Sequence, residues 1–147
     1  ANRIALSLPV DRTGIPILGE KLHRRMASLF GSRGRLAVVS PGEEADLKLD
    51  TEILSFRIQP VSFDSLGQIV KKRVRLSASI AIYNLHTGAV ILRDAEIQSF
   101  REYSDLVPPI ESDEMATDAA LDSLAERIVT KVETGWYTPL LTPQERR

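Results

Sequence analysis

The stretch SFRIQPVSFDSLGQIVKKRVRLSASIAIYN, residues Ser55–Asn84, decides the fold. In its second half Val74, Leu76, Ala78, Ile80 and Ile82 alternate strictly with Arg75, Ser77, Ser79, Ala81 and Tyr83. Successive residues of a strand point to opposite faces. The pattern therefore predicts one strand, apolar on one face and polar on the other, of about a dozen residues and roughly twice the usual length. Upstream, LKLDTEILSFRIQ (Leu47–Gln59) also alternates, but Leu47, Leu49 and Ile53 are odd-numbered while Leu54, Phe56 and Ile58 are even. Such a flip predicts a bulge or a change of buried face near Ile53–Ser55. PVSFDSLGQ (Pro60–Gln68) reads as the connection between these two strands. Downstream, LHTG (Leu85–Gly88) is a tight turn and AVILRDAEIQSFRE a return strand, with a second slip between Leu92 and Ala95. Three strands joined in this way make an antiparallel meander.

Outside the meander the signals are helical. RIALSLPV (Arg3–Val10) reads as a first strand, closed by Pro9 and the turn DRTG. Pro16 opens a helix, where its missing N–H costs nothing, and Leu18, Leu22, Met26 and Leu29 fall on one face. GSRG (Gly31–Gly34) is its stop, and RLAVVS (Arg35–Ser40) a short apolar strand. After the prolines of VPP (Val107–Pro109), Ser112 is placed to cap a second helix whose first turn is acidic. Leu121, Leu124, Ala125, Ile128 and Val132 form its apolar stripe, and Gly135 followed by Trp136 reads as a glycine stop with a hydrophobic contact beyond it. The order is β-α-β-β-β-β-α. Two helices with single apolar stripes need one sheet face to cover, which predicts an α+β two-layer sandwich on a mixed, mostly antiparallel sheet. Residues 1–136 are expected to form a single domain, and 137–147, with two prolines, a poorly ordered tail.

The composition narrows the function. With 147 residues, 43% hydrophobic and 27% charged, the chain is long enough for a self-sufficient core. A net charge of −1 argues against a broad nucleic-acid footprint. No run approaches the ~20 apolar residues of a membrane-spanning helix. There is no cysteine, hence no disulfide and no thiolate chemistry. His23 and His86 stand alone, without metal-ligand spacing, and no serine sits in a nucleophile motif. The acids of PGEEAD and ESDE read as a solvated turn and a helix start. No cofactor, no metal and no catalytic residue is expected. What remains is a run of bases at the start of the long strand: Lys71, Lys72 and Arg73, with Arg75 two residues on. Two readings stand open. The bases protect a sheet edge from pairing with other chains, or they form an anion-binding tip. Alternation sets Lys71 and Arg73 on the face of Arg75, and Lys72 on the other.

Several of these segments together resemble a known family. IQPVSFD, the polar turn, the long strand running into YNLHTGAV, then SFREY, the acidic helix start and LAERIV are similar to the lipopolysaccharide-assembly lipoprotein family LptE, in its divergent, short-tailed forms. The likeness spans nearly the whole chain, and PVSFD…TG-x-V…REY is its most specific part. The opening RIALSLPVDRTG and GRLAVVSPGEEADLKL are less so, since they also resemble other envelope domains, those of curli-secretion and TolB N-terminal type. The resemblance implies two helices on a mixed sheet. It also implies a non-enzymatic lipoprotein on the periplasmic face of the outer membrane, plugging an LptD-like barrel and binding lipopolysaccharide. The lipidated cysteine that such a role requires is expected upstream of Ala1. The candidate lipopolysaccharide-binding residues are Lys71, Lys72, Arg73 and Arg75. The alternative is a different periplasmic adaptor or binding domain of the curli-secretion or TolB type.

Overall fold

The computed structural model describes residues 2–136. The chain runs β1 (Arg3–Leu6), β2 (Val10–Asp11), α1 (Pro16–Arg33), β3 (Ala37–Val38), β4 (Leu47–Phe63), β5 (Ile69–Asn84), β6 (Val90–Tyr103) and α2 (Asp113–Gly135). One sheet holds every strand in the order β3-β1-β4-β5-β6, with β2 also laid against β4. β1 runs parallel to both β3 and β4, whereas β4, β5 and β6 form the antiparallel meander. The expected α+β sandwich and its element order are what the chain adopts.

The first strand is split. Ile4 pairs with Leu47 and Leu6 with Leu49, but Val10 pairs with Glu52, so one extra residue lies between β1 and β2. Pro9 stands in this gap, where its missing N–H leaves no ladder bond unmade. Gly19 of α1 packs against it, because a Cβ on Gly19 would come to 3.0 Å from the Pro9 carbonyl oxygen. The phase slip read near Ile53–Ser55 is a bulge in β4, and the slip between Leu92 and Ala95 coincides with a register shift of β6 against Ala78–Ile80.

The core lies between one sheet face and the two helices. Val74, Leu76, Ala78, Ile80 and Ile82 are all buried, facing Leu22, Met26 and Phe30 of α1 and Leu121, Leu124 and Ile128 of α2. Phe30, rather than Leu29, fills the last core position of α1; Leu29 is only partly covered. Gly34 closes α1 in the left-handed region (φ 69°), its N–H donating to Phe30 O. Ser112 caps α2, its hydroxyl accepting from the Met115 N–H at 3.1 Å. Gly135 does not stop α2 as a left-handed residue, since the following Trp136 is still right-handed (φ −68°). The Leu92 side chain packs against Gly135: a Cβ there would meet Leu92 Cδ2 at 2.6 Å, so Leu92 would have to turn aside for a larger residue.

The helices lie side by side and run the same way. Lys21 Nζ donates to Asp118 at 2.9 Å, Arg25 Nε to Asp122 at 2.6 Å and Arg33 to Thr130 at 3.0 Å. Each partner is 97 residues further along the chain. Both helices cover the same sheet face, and no described element covers the other.

β4 differs most from expectation. It continues through Pro60–Phe63, so the turn is confined to Asp64–Gln68 and the hairpin is longer than the alternation alone implies. Pro60 is tolerated because β2 pairs with β4 no further than Ile53, which leaves this part of β4 an edge. The predicted tail, 137–147, lies outside the described residues.

Candidate anion-binding face

Directly paired residues of neighbouring strands share a face. Arg75 pairs with Arg57 of β4 on one side and Phe100 of β6 on the other; Arg73 pairs with Gln59 and Glu102. Val74 and Leu76 point to the helices, so these rows lie on the uncovered face. Arg73 hydrogen-bonds Glu102 and stacks over the Phe100 ring at 5.6 Å. Lys71 Nζ lies 3.9 Å from the same carboxylate. The Arg73 hydrogen bond, with the two nearby positive charges, holds the Glu102 carboxyl below its usual range. Lys71 and Arg73 thus share one acid.

The side chains of Arg57 and Arg75 have no hydrogen bond or ion pair among the described residues, and Arg75 Nε is shielded from solvent without an acceptor. Like charges set directly opposite each other on a sheet are destabilising. A pair that works against the fold marks a place where something other than stability set the sequence. The two guanidinium groups offer planar forks suited to two-point contact with a phosphate or carboxylate.

Lys72 belongs to a different assembly. It faces the helix side, opposite Pro60 and Tyr103, with its side chain only 19% exposed. Its ammonium lies 2.9 Å from Asp105 and 3.1 Å from Asp113 in the first turn of α2, and 5.8 Å from the centre of the Tyr103 ring. Tyr103 Oη donates to the same Asp113 oxygen at 2.6 Å. These two hydrogen bonds, Tyr103's first, lower the Asp113 pKa. Hydrogen bonds to Asp105 and Asp113 raise that of Lys72. Lys72 is a clasp between the sheet and α2, its charge committed to two carboxylates.

The structure therefore separates the four predicted bases: Lys71, Arg73 and Arg75 come together and Lys72 does not. It adds Arg57 and Phe100, which sequence reasoning missed. The signal for Arg57 was its register with Arg75, which can be counted back from the turn only once the turn is known to be Asp64–Gln68. Edge protection does not account for Arg73 and Arg75, because β5 is flanked by β4 and by β6 at both. Elsewhere, His86 Nε2 sits 2.8 Å from Asp46 in the hairpin turn, and the cleft between α2 and β6 is lined mainly by polar groups of both charges. Neither gathers charge of one sign.

No family model matches the chain, and no curated protein matches it. Solved structures share its fold. The protein CT253 from Chlamydia trachomatis superposes with a TM-score of 0.67 at 12% identity, covering 92% of this chain and 97% of that one. Protein XCC0632 from Xanthomonas campestris, of the DUF330 family, gives 0.67 at 13%, covering 99% and 89%. The rare lipoprotein B from Shewanella oneidensis gives 0.56 at 14%, covering 90% and 95%. At these identities the likeness is one of fold, and the fold is one that bacterial lipoproteins use.

Proposed function

We propose that the chain is the α+β domain of a non-enzymatic outer-membrane lipoprotein of the LptE kind. In this reading it is held by an acylated cysteine on the periplasmic face, plugs an LptD-type barrel and binds lipopolysaccharide on its way to the cell surface. The observation that carries the reading is the uncovered sheet face bearing Arg57, Arg73, Arg75 and Lys71. Arg73 and Arg75 stand on β5 between two neighbouring strands, with Arg57 directly opposite Arg75, so these cations are held at fixed spacing before any ligand arrives. Lipid A presents phosphates on a rigid sugar, and several positioned bases can hold one phosphate by charge-assisted hydrogen bonds. The 17-residue β4 also supports the reading: at ~3.3 Å per residue the hairpin spans about 55 Å, enough to reach deep into a barrel lumen.

Two measurements test this. Lipopolysaccharide should bind the chain at low salt and release as salt rises, because the screening length shortens to ~8 Å at physiological ionic strength. Arg57→Glu/Arg75→Glu should weaken that binding by about tenfold or more while circular dichroism stays unchanged. Isolation of the full-length protein from native membranes should bring down a large β-barrel. Equal lipopolysaccharide binding by wild type and double variant removes the face from the reading, and purification without a barrel removes the plug.

A further inference from the structure

The end of the β4–β5 hairpin lies beyond the arginine rows and has a different character. Its turn is tied by four bonds. Asp64 Oδ1 accepts from the N–H groups of Leu66 and Gln68, both at 2.9 Å. The Asp64 N–H donates to Gln68 O at 2.9 Å, and the Gly67 N–H to Asp64 O at 3.1 Å. Gly67 supplies the left-handed conformation, φ 80°, that the last of these requires. The turn's one carboxylate is thus committed to its own backbone. Held out at the apex is Leu66, 84% exposed, flanked by the paired Phe63 and Ile69 at 59% and 38%. None of the three belongs to the core. A rigid turn that displays a leucine in water gains nothing for the fold, because that surface is never removed from solvent.

Charge follows the apolar apex in a set order. On the uncovered face the hairpin carries Arg57, Lys71, Arg73 and Arg75, with Glu102 of β6 the acid beside Lys71 and Arg73, in a chain of net charge −1. Lys71 follows Ile69 by two residues, about 7 Å along the strand, and Arg75 by six, about 20 Å. An apolar end backed by cations at that separation matches the boundary between acyl chains and phosphates in an anionic lipid layer. Surface-lying apolar elements bury themselves there by ~5–10 Å.

We propose that this tip docks on an anionic phospholipid surface, with Phe63, Leu66 and Ile69 entering the acyl boundary and Lys71 and Arg73 meeting the lipid phosphates. The partner is the phospholipid layer itself, and neither lipopolysaccharide nor a barrel is required. Flotation of the unacylated chain tests it, using vesicles of phosphatidylcholine containing phosphatidylglycerol and vesicles of phosphatidylcholine alone. The wild type should float with the mixed vesicles, and binding to phosphatidylcholine alone should be weaker by about tenfold or more. Phe63→Ser/Leu66→Ser should reduce binding to the mixed vesicles by about tenfold or more with an unchanged thermal melt, since both residues are exposed. A Leu66→Trp variant should show a blue shift in emission on adding the mixed vesicles, beyond any change in wild type. The proposal is overturned if the wild type stays with the dense fraction, or if the double serine variant floats as well as wild type. A chain that binds lipopolysaccharide but no phospholipid vesicle overturns the tip's role and leaves the reading of the arginine face standing.

Discussion

Leu76 and Leu66 belong to the same hairpin and sit at its two extremes, one with no exposed surface and the other 84% exposed. Around Leu76 the sheet is backed by both helices, and β4 gains a second neighbour once β2 joins at Ile53. Around Leu66 there is only the two-stranded hairpin, edged on both sides. The buried half is made of side chains that have every contact a core can offer. The outer half carries side chains the fold does not use: Arg57 and Arg75 where β6 still flanks β5, and Phe63 and Leu66 in the two-stranded overhang. In a single pair of strands, stability is concentrated at one end and unsatisfied binding capacity at the other. Substitutions can address either half separately.

The largest effect belongs to the buried half. Leu76→Asp or Ile80→Asp should abolish the cooperative thermal transition, because an unpaired buried carboxylate costs several kcal/mol, set against the ~5–15 kcal/mol stability of a typical domain. A folded Leu76→Asp variant would mean that the two halves are not divided as described.

Ser77 sharpens the boundary. Its alternation puts it on the uncovered face, yet it is only 4% exposed, and its hydroxyl shares a 2.5 Å hydrogen bond with Ser55 across the strands. Ser77→Asp should therefore lower stability by about 1–3 kcal/mol in denaturant titration instead of being neutral. Facing away from the helices is not the same as facing water, since neighbouring strands can cover a small side chain.

The Lys72 clasp stands where the two halves meet. Asp113 has a lowered pKa in the folded protein, so its contribution is fully present above the ordinary carboxyl value of 3.8 and is lost as pH falls through the lower folded value. The stability difference between wild type and Asp113→Asn should be constant near neutrality and shrink below about pH 4. Lys72→Ala should lower the melting temperature without altering lipopolysaccharide binding. Weakened binding with an unchanged melt would return Lys72 to the ligand face.

The smallest stability effect is expected at the arginine pair, and its sign is informative. Arg57→Thr should leave stability unchanged or raise it by a few tenths of a kcal/mol, because it relieves like charges facing each other. The same variant should bind lipopolysaccharide less tightly. A clear loss of stability would show that Arg57 serves the fold after all.

The buried half was largely legible in the amino-acid sequence. Strict alternation in Val74–Ile82 fixed the inward face, and the parity flip at Ile53–Ser55 located a bulge, because both are local consequences of a two-residue period. The overhang was not, for one specific reason. Pro60 and Ser62 read as loop, since proline is excluded from inner strands, and nothing in a single sequence says that β4 has lost its outer neighbour by that point. With the turn misplaced, the β4–β5 register could not be counted, so Arg57 could not be set opposite Arg75 or Lys72 opposite Pro60. Phe30 displaced Leu29 for a similar reason: both lie near the apolar stripe of α1, and only the position of the sheet chooses between them.

The ladder joining the helices has a less obvious consequence. Its acids recur every fourth residue, Glu114, Asp118, Asp122 and Glu126, opposite bases at Lys21 and Arg25 with the same spacing. If α2 slid by one turn, Lys21 would meet Asp122 and Arg25 would meet Glu126, and both pairs would be remade. Arg25 already reaches back to Asp118 at 3.5 Å. The seam is therefore degenerate, like a ruler with unnumbered marks: it keeps the helices alongside each other but cannot say where α2 stops. That choice falls to contacts that occur once: Lys72 and Tyr103 on Asp113, Arg33 on the buried Glu133 at 3.0 Å, the Ser99 hydroxyl donating to the Ala120 carbonyl at 2.8 Å, and Leu92 against Gly135. Ser99→Ala and Gly135→Val would leave the Lys21 and Arg25 ion pairs of the seam intact while removing two of the marks that set its register.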